Sequence, residues 1–199
     1  MAPDVDSLRR AGSLYPAAMP KIVSHFVEIY VFRRRGRRFE VLCLRRAPGI
    51  PLPGVWQPVT GKRRRGERAL LAAAREVREE IGVEPIRWWG LETLSMWFES
   101  VSERFVVLPL YAAEVDARAQ VKLSREHDDF AWLTPRAAGA RFAWETQRRA
   151  LVALDREVWR GKSAHYLERT ELLAELRGGR SRTRPRRRGL GNPRASRQV

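Results

Sequence analysis

Along this chain apolar residues recur with two different periods. Residues 25–33 (HFVEIYVFR) and 39–45 (FEVLCLR) are short runs rich in β-branched and aromatic side chains, and they predict two strands joined as a hairpin through a basic turn at Gly36. Residues 46–55 hold three prolines and two glycines and read as loop, followed by a short extended piece over 56–60. Over 67–81 the period changes. Leu70, Ala73, Ala74, Val77 and Ile81 recur at helical spacing, and Gly82 stands just past the end. Strands are predicted again over 86–99, 104–115 and 130–133. Thr134 followed by Pro135 is a helix start, a capping hydroxyl and then a proline at the first helical position. Residues 135–159 read as largely helical with a break near Gly139, and 164–177 as one more helix. Strands, one helix, strands and then helices make an α+β pattern, a mixed sheet in an α/β/α sandwich.

Composition draws the boundaries. Residues 1–22 read as an irregular lead-in, 23–177 as the folded domain, and 178–199 as a basic, disordered tail without apolar periodicity. Nine arginines and no acid fall between 177 and 199, more than half of the net charge of +16. Two further basic clusters, Arg33–Arg38 and Lys62–Arg65, would draw in a polyanion. No apolar run approaches the roughly 18–20 residues of a membrane span. One cysteine, Cys43, excludes an internal disulfide framework, so the expected compartment is the reducing cytoplasm.

The helix over 67–81 carries the chemistry. Glu76, Glu79 and Glu80 fall within roughly 100° of arc, so three carboxylates share one face. Like charges at this spacing repel, and acids in a last turn oppose the helix dipole. Such conflicts belong to functional sites, and a divalent cation resolves this one. Oxygen-only ligands suit Mg²⁺ or Mn²⁺. The alternative for EVREE alone is a solvated acidic face paired with Arg75 and Arg78.

The wider spacing decides between them. Gly61, Glu67, Arg75, Glu76, Val77, Glu79, Glu80, Gly82 and Val83 stand at every position of the pattern Gly, five residues, Glu, seven residues, Arg-Glu, apolar, any, Glu-Glu, any, Gly, apolar. At average residue usage a chance match is on the order of one in ten million. The segment resembles the Nudix box. That resemblance implies a loop–helix–loop on an α/β/α sandwich and metal-dependent hydrolysis of a phosphoanhydride bond. It implies Glu76 and Glu80 as principal metal ligands, with Glu79 a further ligand or base-side carboxylate. Arg75 and Glu67 would hold the helix against its loop, and Gly61 would allow the tight turn into that loop. Lys62–Arg65 is basic where many relatives carry acids.

Flanking residues bear on the substrate. Trp56-Gln57-Pro58-Val59-Thr60-Gly61, then Glu126-His127-Asp128-Asp129-Phe130-Ala131-Trp132-Leu133, then Trp144 opening a helix, are similar to the dihydroneopterin triphosphate pyrophosphatases and dATP pyrophosphohydrolases. The similarity implies a nucleoside triphosphate or pterin triphosphate substrate, pyrophosphate release, and a monomer or homodimer. It also implies Glu126 as a metal ligand from outside the box, with Asp128 and Asp129 as the competing choices. Trp56 is a candidate to stack on a base or to fill the core edge. Gln57 lies beside it in the same substrate-binding segment, and Arg46 is a candidate phosphate contact or an exposed loop residue. His127 reads as a hydrogen-bonded structural residue, and Trp88, Trp89 and Trp97 as core or surface filler. Rival readings are an oxidised-nucleotide or nucleotide-sugar hydrolase, or a nucleic-acid-binding protein working through its Arg-rich tail.

Overall fold

The computed structural model describes residues 20–162 and 167–178. In chain order its elements are β1 (Lys21–Val23), β2 (Phe26–Arg35), β3 (Arg38–Arg46), β4 (Trp56–Gln57), β5 (Val59–Lys62), α1 (Ala69–Ile81), β6 (Arg87–Glu99), β7 (Arg104–Val115), β8 (His127–Leu133), α2 (Pro135–Arg141), α3 (Glu145–Ala153), a π-helical turn (Leu154–Trp159) and α4 (Thr170–Arg177). All eight strands join one mixed sheet, in which β7 runs parallel to β1 and β2 and antiparallel to β6.

Period-two alternation divides the core into two layers. On β2, Tyr30 and Phe32 face a cluster completed by Leu151, Leu154 and Val158 of the late helices. Val27, Ile29 and Val31 face the opposite cluster, against Ala73, Ala74 and Val77 of α1. Val41 and Cys43 go with the first layer, Leu42 and Leu44 with the second. A strand buried on both faces needs near-continuous apolar sequence, which is why residues 25–33 and 39–45 show no polar alternation. The α/β/α sandwich expected from the element order is the fold observed.

One irregularity makes room for a site. β2 and β3 pair only near their turn, from Arg35 opposite Arg38 to Phe32 opposite Val41. Beyond that they splay. β5 pairs the freed end of β2, and β4 pairs the freed end of β3. Pro58 stands at the switch, where its missing N–H cannot support a continuous ladder. The single extended piece expected over 56–60 is therefore two strands with different neighbours.

Other boundaries differ for local reasons. Lys21 and Ile22, expected to be irregular, form a strand with Val23 because the three residues find a partner in Arg104–Val106. The remainder of the expected lead-in, and the expected tail beyond Gly178, lie outside the described residues. The late helical stretch breaks at Phe142, not Gly139. Phe142 is buried and extended and bridges to Trp56, whereas Gly139 fits inside α2. Of the helix expected over 164–177, residues 163–166 lie outside the described set, Glu168 and Arg169 are not helical, and α4 runs from Thr170 to Arg177.

Candidate active site

α1 begins at Ala69, two residues later than expected, because Glu67 is engaged in the loop before it. Arg75 reaches back from the helix and grips Glu67 with two parallel bonds, Nε to Oε1 at 2.9 Å and Nη2 to Oε2 at 2.9 Å. Glu67 also accepts from the backbone N–H of Arg64 at 2.8 Å, and Arg75 donates to the carbonyl of Lys62 at 2.9 Å. Hydrogen bonding to Arg75 holds the Glu67 carboxyl at about 2, well below its ordinary value. The third guanidinium nitrogen donates to Glu76 at 2.7 Å and Glu79 at 2.8 Å. Gly82 closes the helix in the left-handed region (φ 66°), its N–H returning to the Arg78 carbonyl.

Gly61 plays a different part from the one expected. Its backbone is not in the left-handed region, so conformational freedom is not what it supplies. A β-carbon there would stand 1.9 Å from Cδ of Glu76. The absent side chain is the space the Glu76 carboxylate occupies.

The three helix acids differ in setting. Glu79 is half exposed and bonded to Arg75 and Arg64. Glu76 lies over Gly61. Glu80 is buried at 4% exposure, and its Oε2 has no hydrogen-bond partner. Burial first, then the charges of Glu76 and Glu126, push the Glu80 carboxyl well above its ordinary value. Burial also raises Glu76, against the pull of Arg75. These three acids and Glu126 line one cavity of about 540 Å³ with Ile50, Ser124 and Arg125. Among the described residues no three His, Cys, Asp or Glu side chains are grouped closely enough to hold a metal ion as they stand. The four carboxylates face common open space, two of them tethered by Arg75. This all-oxygen set could hold a hard divalent cation.

Glu126 reaches that cavity by a route other than a free loop. β8 begins at His127, three residues before the expected 130, and Ala47 donates its N–H to the Glu126 carbonyl at 2.9 Å. Asp128 and Asp129 do not line the cavity; both turn to Arg45, at 2.8 and 3.7 Å. Arg45 pairs with Asp129 and Arg46 with His127, so Asp128 is the extra residue of a β-bulge. Bulges re-aim side chains. Here His127 is turned inward, where its Nδ1 stands 3.7 Å from Glu80 Oε2. Burial and then Arg46 lower the imidazole to about 4, so His127 is neutral at pH 7.

The fork between β2 and β3 holds a second cavity, about 650 Å³. Phe26, Met96, Trp97, Leu108 and Trp144 supply apolar wall, and Glu28, Arg46, Gln57 and Gln147 supply polar groups. Ile50 lines the first cavity and its neighbours Pro51 and Leu52 the second, so the loop after β3 runs between them. Arg46 and Gln57, both candidate substrate contacts, thus line the same cavity. Trp56 lines neither cavity; its ring lies against Arg141 at 4.5 Å and Arg45 at 6.0 Å, and packs on the first core layer. Trp88 and Trp89 are core, but Trp97 is 43% exposed and lines the second cavity. Sequence reasoning missed Glu28 and Gln147. Glu28 is buried, accepts from Tyr30 Oη at 2.5 Å and from Gln147 Nε2 at 3.3 Å, and is raised by burial. An acid inside the apolar run HFVEIYVFR was the available signal.

Residues 25–154 match the family model described as the NUDIX domain. The chain belongs to the NUDIX family. Hydrolases of this family generally use divalent metals. Its sheet and helices resemble those of a protein described as a NUDIX hydrolase from Listeria monocytogenes (TM-score 0.59, 22% identity, covering 69% of this chain and 95% of that one). They also resemble a C. elegans Ap4A hydrolase (TM-score 0.56, 22% identity, 67% and 95%). A third likeness is to the E. coli dihydroneopterin triphosphate pyrophosphohydrolase (TM-score 0.54, 22% identity, 67% and 95%). At these identities the likeness is one of fold. Among curated proteins, an octanoyltransferase of Myxococcus xanthus is 35% identical over 108 residues, 54% of this chain but only 30% of that protein. The chain thus spans under a third of the length of that relative.

Proposed function

We propose that this Nudix hydrolase cuts a phosphoanhydride bond in a nucleoside triphosphate or dihydroneopterin triphosphate, releasing pyrophosphate, with Mg²⁺ or Mn²⁺ held by Glu76, Glu79, Glu80 and Glu126. The observation that carries this reading is the buried, partnerless Oε2 of Glu80 in a cavity shared with three other carboxylates. An isolated buried carboxylate is costly unless something of opposite charge meets it. The cation supplies charge neutralisation on the phosphates and acidifies the attacking water. The chain's own groups do the rest. Arg75 tethers Glu76 and Glu79, Gly61 leaves room for Glu76, and Glu67 holds Arg75 in place. Glu79, half exposed and paired with Arg75 and Arg64, is the box acid most open to a proton from the attacking water.

The neighbouring cavity suits a flat heterocycle. Trp97, Trp144 and Phe26 offer aromatic surface, and a volume of about 650 Å³ falls in the range of small-molecule sites. Arg46 stands at its edge toward the carboxylates, where a substrate's phosphates would meet a guanidinium. The test is a panel of nucleotides and dihydroneopterin triphosphate incubated with Mg²⁺, with phosphate and pyrophosphate measured separately. Pyrophosphate from a triphosphate supports the reading. Turnover confined to nucleotide-sugars or dinucleotides would replace the substrate, and no hydrolysis of any phosphoanhydride would overturn the reading.

A further inference from the structure

We propose that His127 is a positioning residue that orients Glu80 for a divalent cation and, through Gln57, ties that orientation to Arg46 in the neighbouring cavity. The inference rests on the reading of Glu80 as a cation-holding group. Arg46 Nη1 donates to Gln57 Oε1 at 3.4 Å. That contact sets the amide, leaving Gln57 Nε2 as the donor toward His127 Nε2, also at 3.4 Å. A ring nitrogen that accepts carries no proton, so in the neutral imidazole the proton sits on Nδ1. Nδ1 is the atom that faces Glu80 Oε2 across 3.7 Å.

These last two atoms are both buried and both without a hydrogen-bond partner. At 3.7 Å the bond between them is not formed, yet a movement of well under 1 Å would form it. Two orphaned polar atoms, a donor and an acceptor facing each other, satisfy one another when the carboxylate turns. Cation-holding carboxylates are commonly fixed by such outer partners, whose loss weakens metal binding roughly 10–100-fold. The other end of the chain of contacts is Arg46, which lines the second cavity, while Glu80 lines the first. The four side chains therefore connect the expected phosphate contact to the expected metal ligand without passing through solvent-exposed groups, since Gln57 and His127 are both buried.

The experiment is a Mn²⁺ titration of the full chain without nucleotide, reading free Mn²⁺ by electron paramagnetic resonance. His127→Leu should weaken Mn²⁺ binding roughly 10–100-fold. His127→Asn keeps an N–H at the Nδ1 position and should recover most of that loss. Gln57→Leu should also weaken Mn²⁺ binding, although the residue touches no cation. If Gln57→Leu raises only the KM for nucleotide and leaves Mn²⁺ affinity at wild type, Gln57 is a substrate contact and the connection is wrong. Wild-type affinity in His127→Leu, or no recovery in His127→Asn, overturns the role of His127. Should His127→Leu fail to fold, the asparagine and Gln57 variants still decide the matter. Glu80→Gln is the separate control. If it binds Mn²⁺ as well as wild type, the underlying metal-site reading fails, and the fault is not in the positioning.

Discussion

Glu67 and Glu80 belong to one motif and have opposite surroundings. Glu67 accepts two bonds from Arg75 and one from the loop backbone, and is held well below the usual carboxylate range. Glu80 is more deeply buried, has an oxygen with no partner, and is pushed well above that range. One carboxylate is complete within the chain and the other is not. The difference separates a residue whose partners all lie within the chain from one that we propose meets a cation.

Substitution should break the two ends differently. The largest effect is expected at Glu80. Glu80→Gln should lower kcat at least a hundredfold, about 2.7 kcal/mol of transition-state stabilisation. Its melting temperature should hold or rise, because the change removes a buried charge conflict. A clear fall in melting temperature with activity retained would make Glu80 structural. Glu67→Gln should do the reverse in stability. Losing one of two charge-assisted bonds costs about 2 kcal/mol, or roughly 4–8 °C in a domain of this size.

Acid sharpens the same contrast. The folded value of Glu67 lies below its unfolded value, so the native state binds fewer protons between them. Its contribution is fully present above the ordinary glutamate value near 4.5 and is lost as pH falls from there toward about 2. Urea midpoints measured across that window should drop more steeply in the wild type than in Glu67→Gln. Parallel curves would remove Glu67 from the account.

Smaller effects follow. Glu126→Gln should lower kcat roughly tenfold, about 1.4 kcal/mol. Asp128→Asn should stay near wild type, since Asp128 is turned to Arg45. The opposite ranking would mean that Asp128 is the acid that matters. Smallest of all, removing residues 179–199 should leave turnover of a small nucleotide unchanged, because their composition cannot build a core. A collapse in turnover would bring those residues into the site.

The legible part of this molecule is local. Helical period and a complete motif marked α1, its acids and Arg75 with Glu67, because each partner lies within a few turns of the other. The strands over 25–33 and 39–45 were legible too, but their near-continuous apolar runs did not show that Tyr30 and Phe32 face one layer and Ile29 and Val31 the other. What the sequence did not reveal depends on pairings between distant strands. The fork between β2 and β3, the bulge at Asp128 that turns His127 inward, and the meeting of Glu28 with Gln147 on α3 all arise from register, which no local pattern encodes. Trp56 shows the same limit: the sequence left it between a stacking surface and the core edge, and strand pairing sets it against the arginines and the first core layer. Gly61 was found by spacing, and its reason came only from the Glu76 side chain lying where a β-carbon would be.

The central claim is that the partnerless carboxylate on α1 marks a cation site on which hydrolysis depends. Turnover by protein stripped with a chelator, then titrated with Mg²⁺, tests it directly. The account predicts that activity collapses in chelator and returns as Mg²⁺ is added, to the wild-type enzyme and not to Glu80→Gln. Undiminished turnover in excess chelator would contradict it.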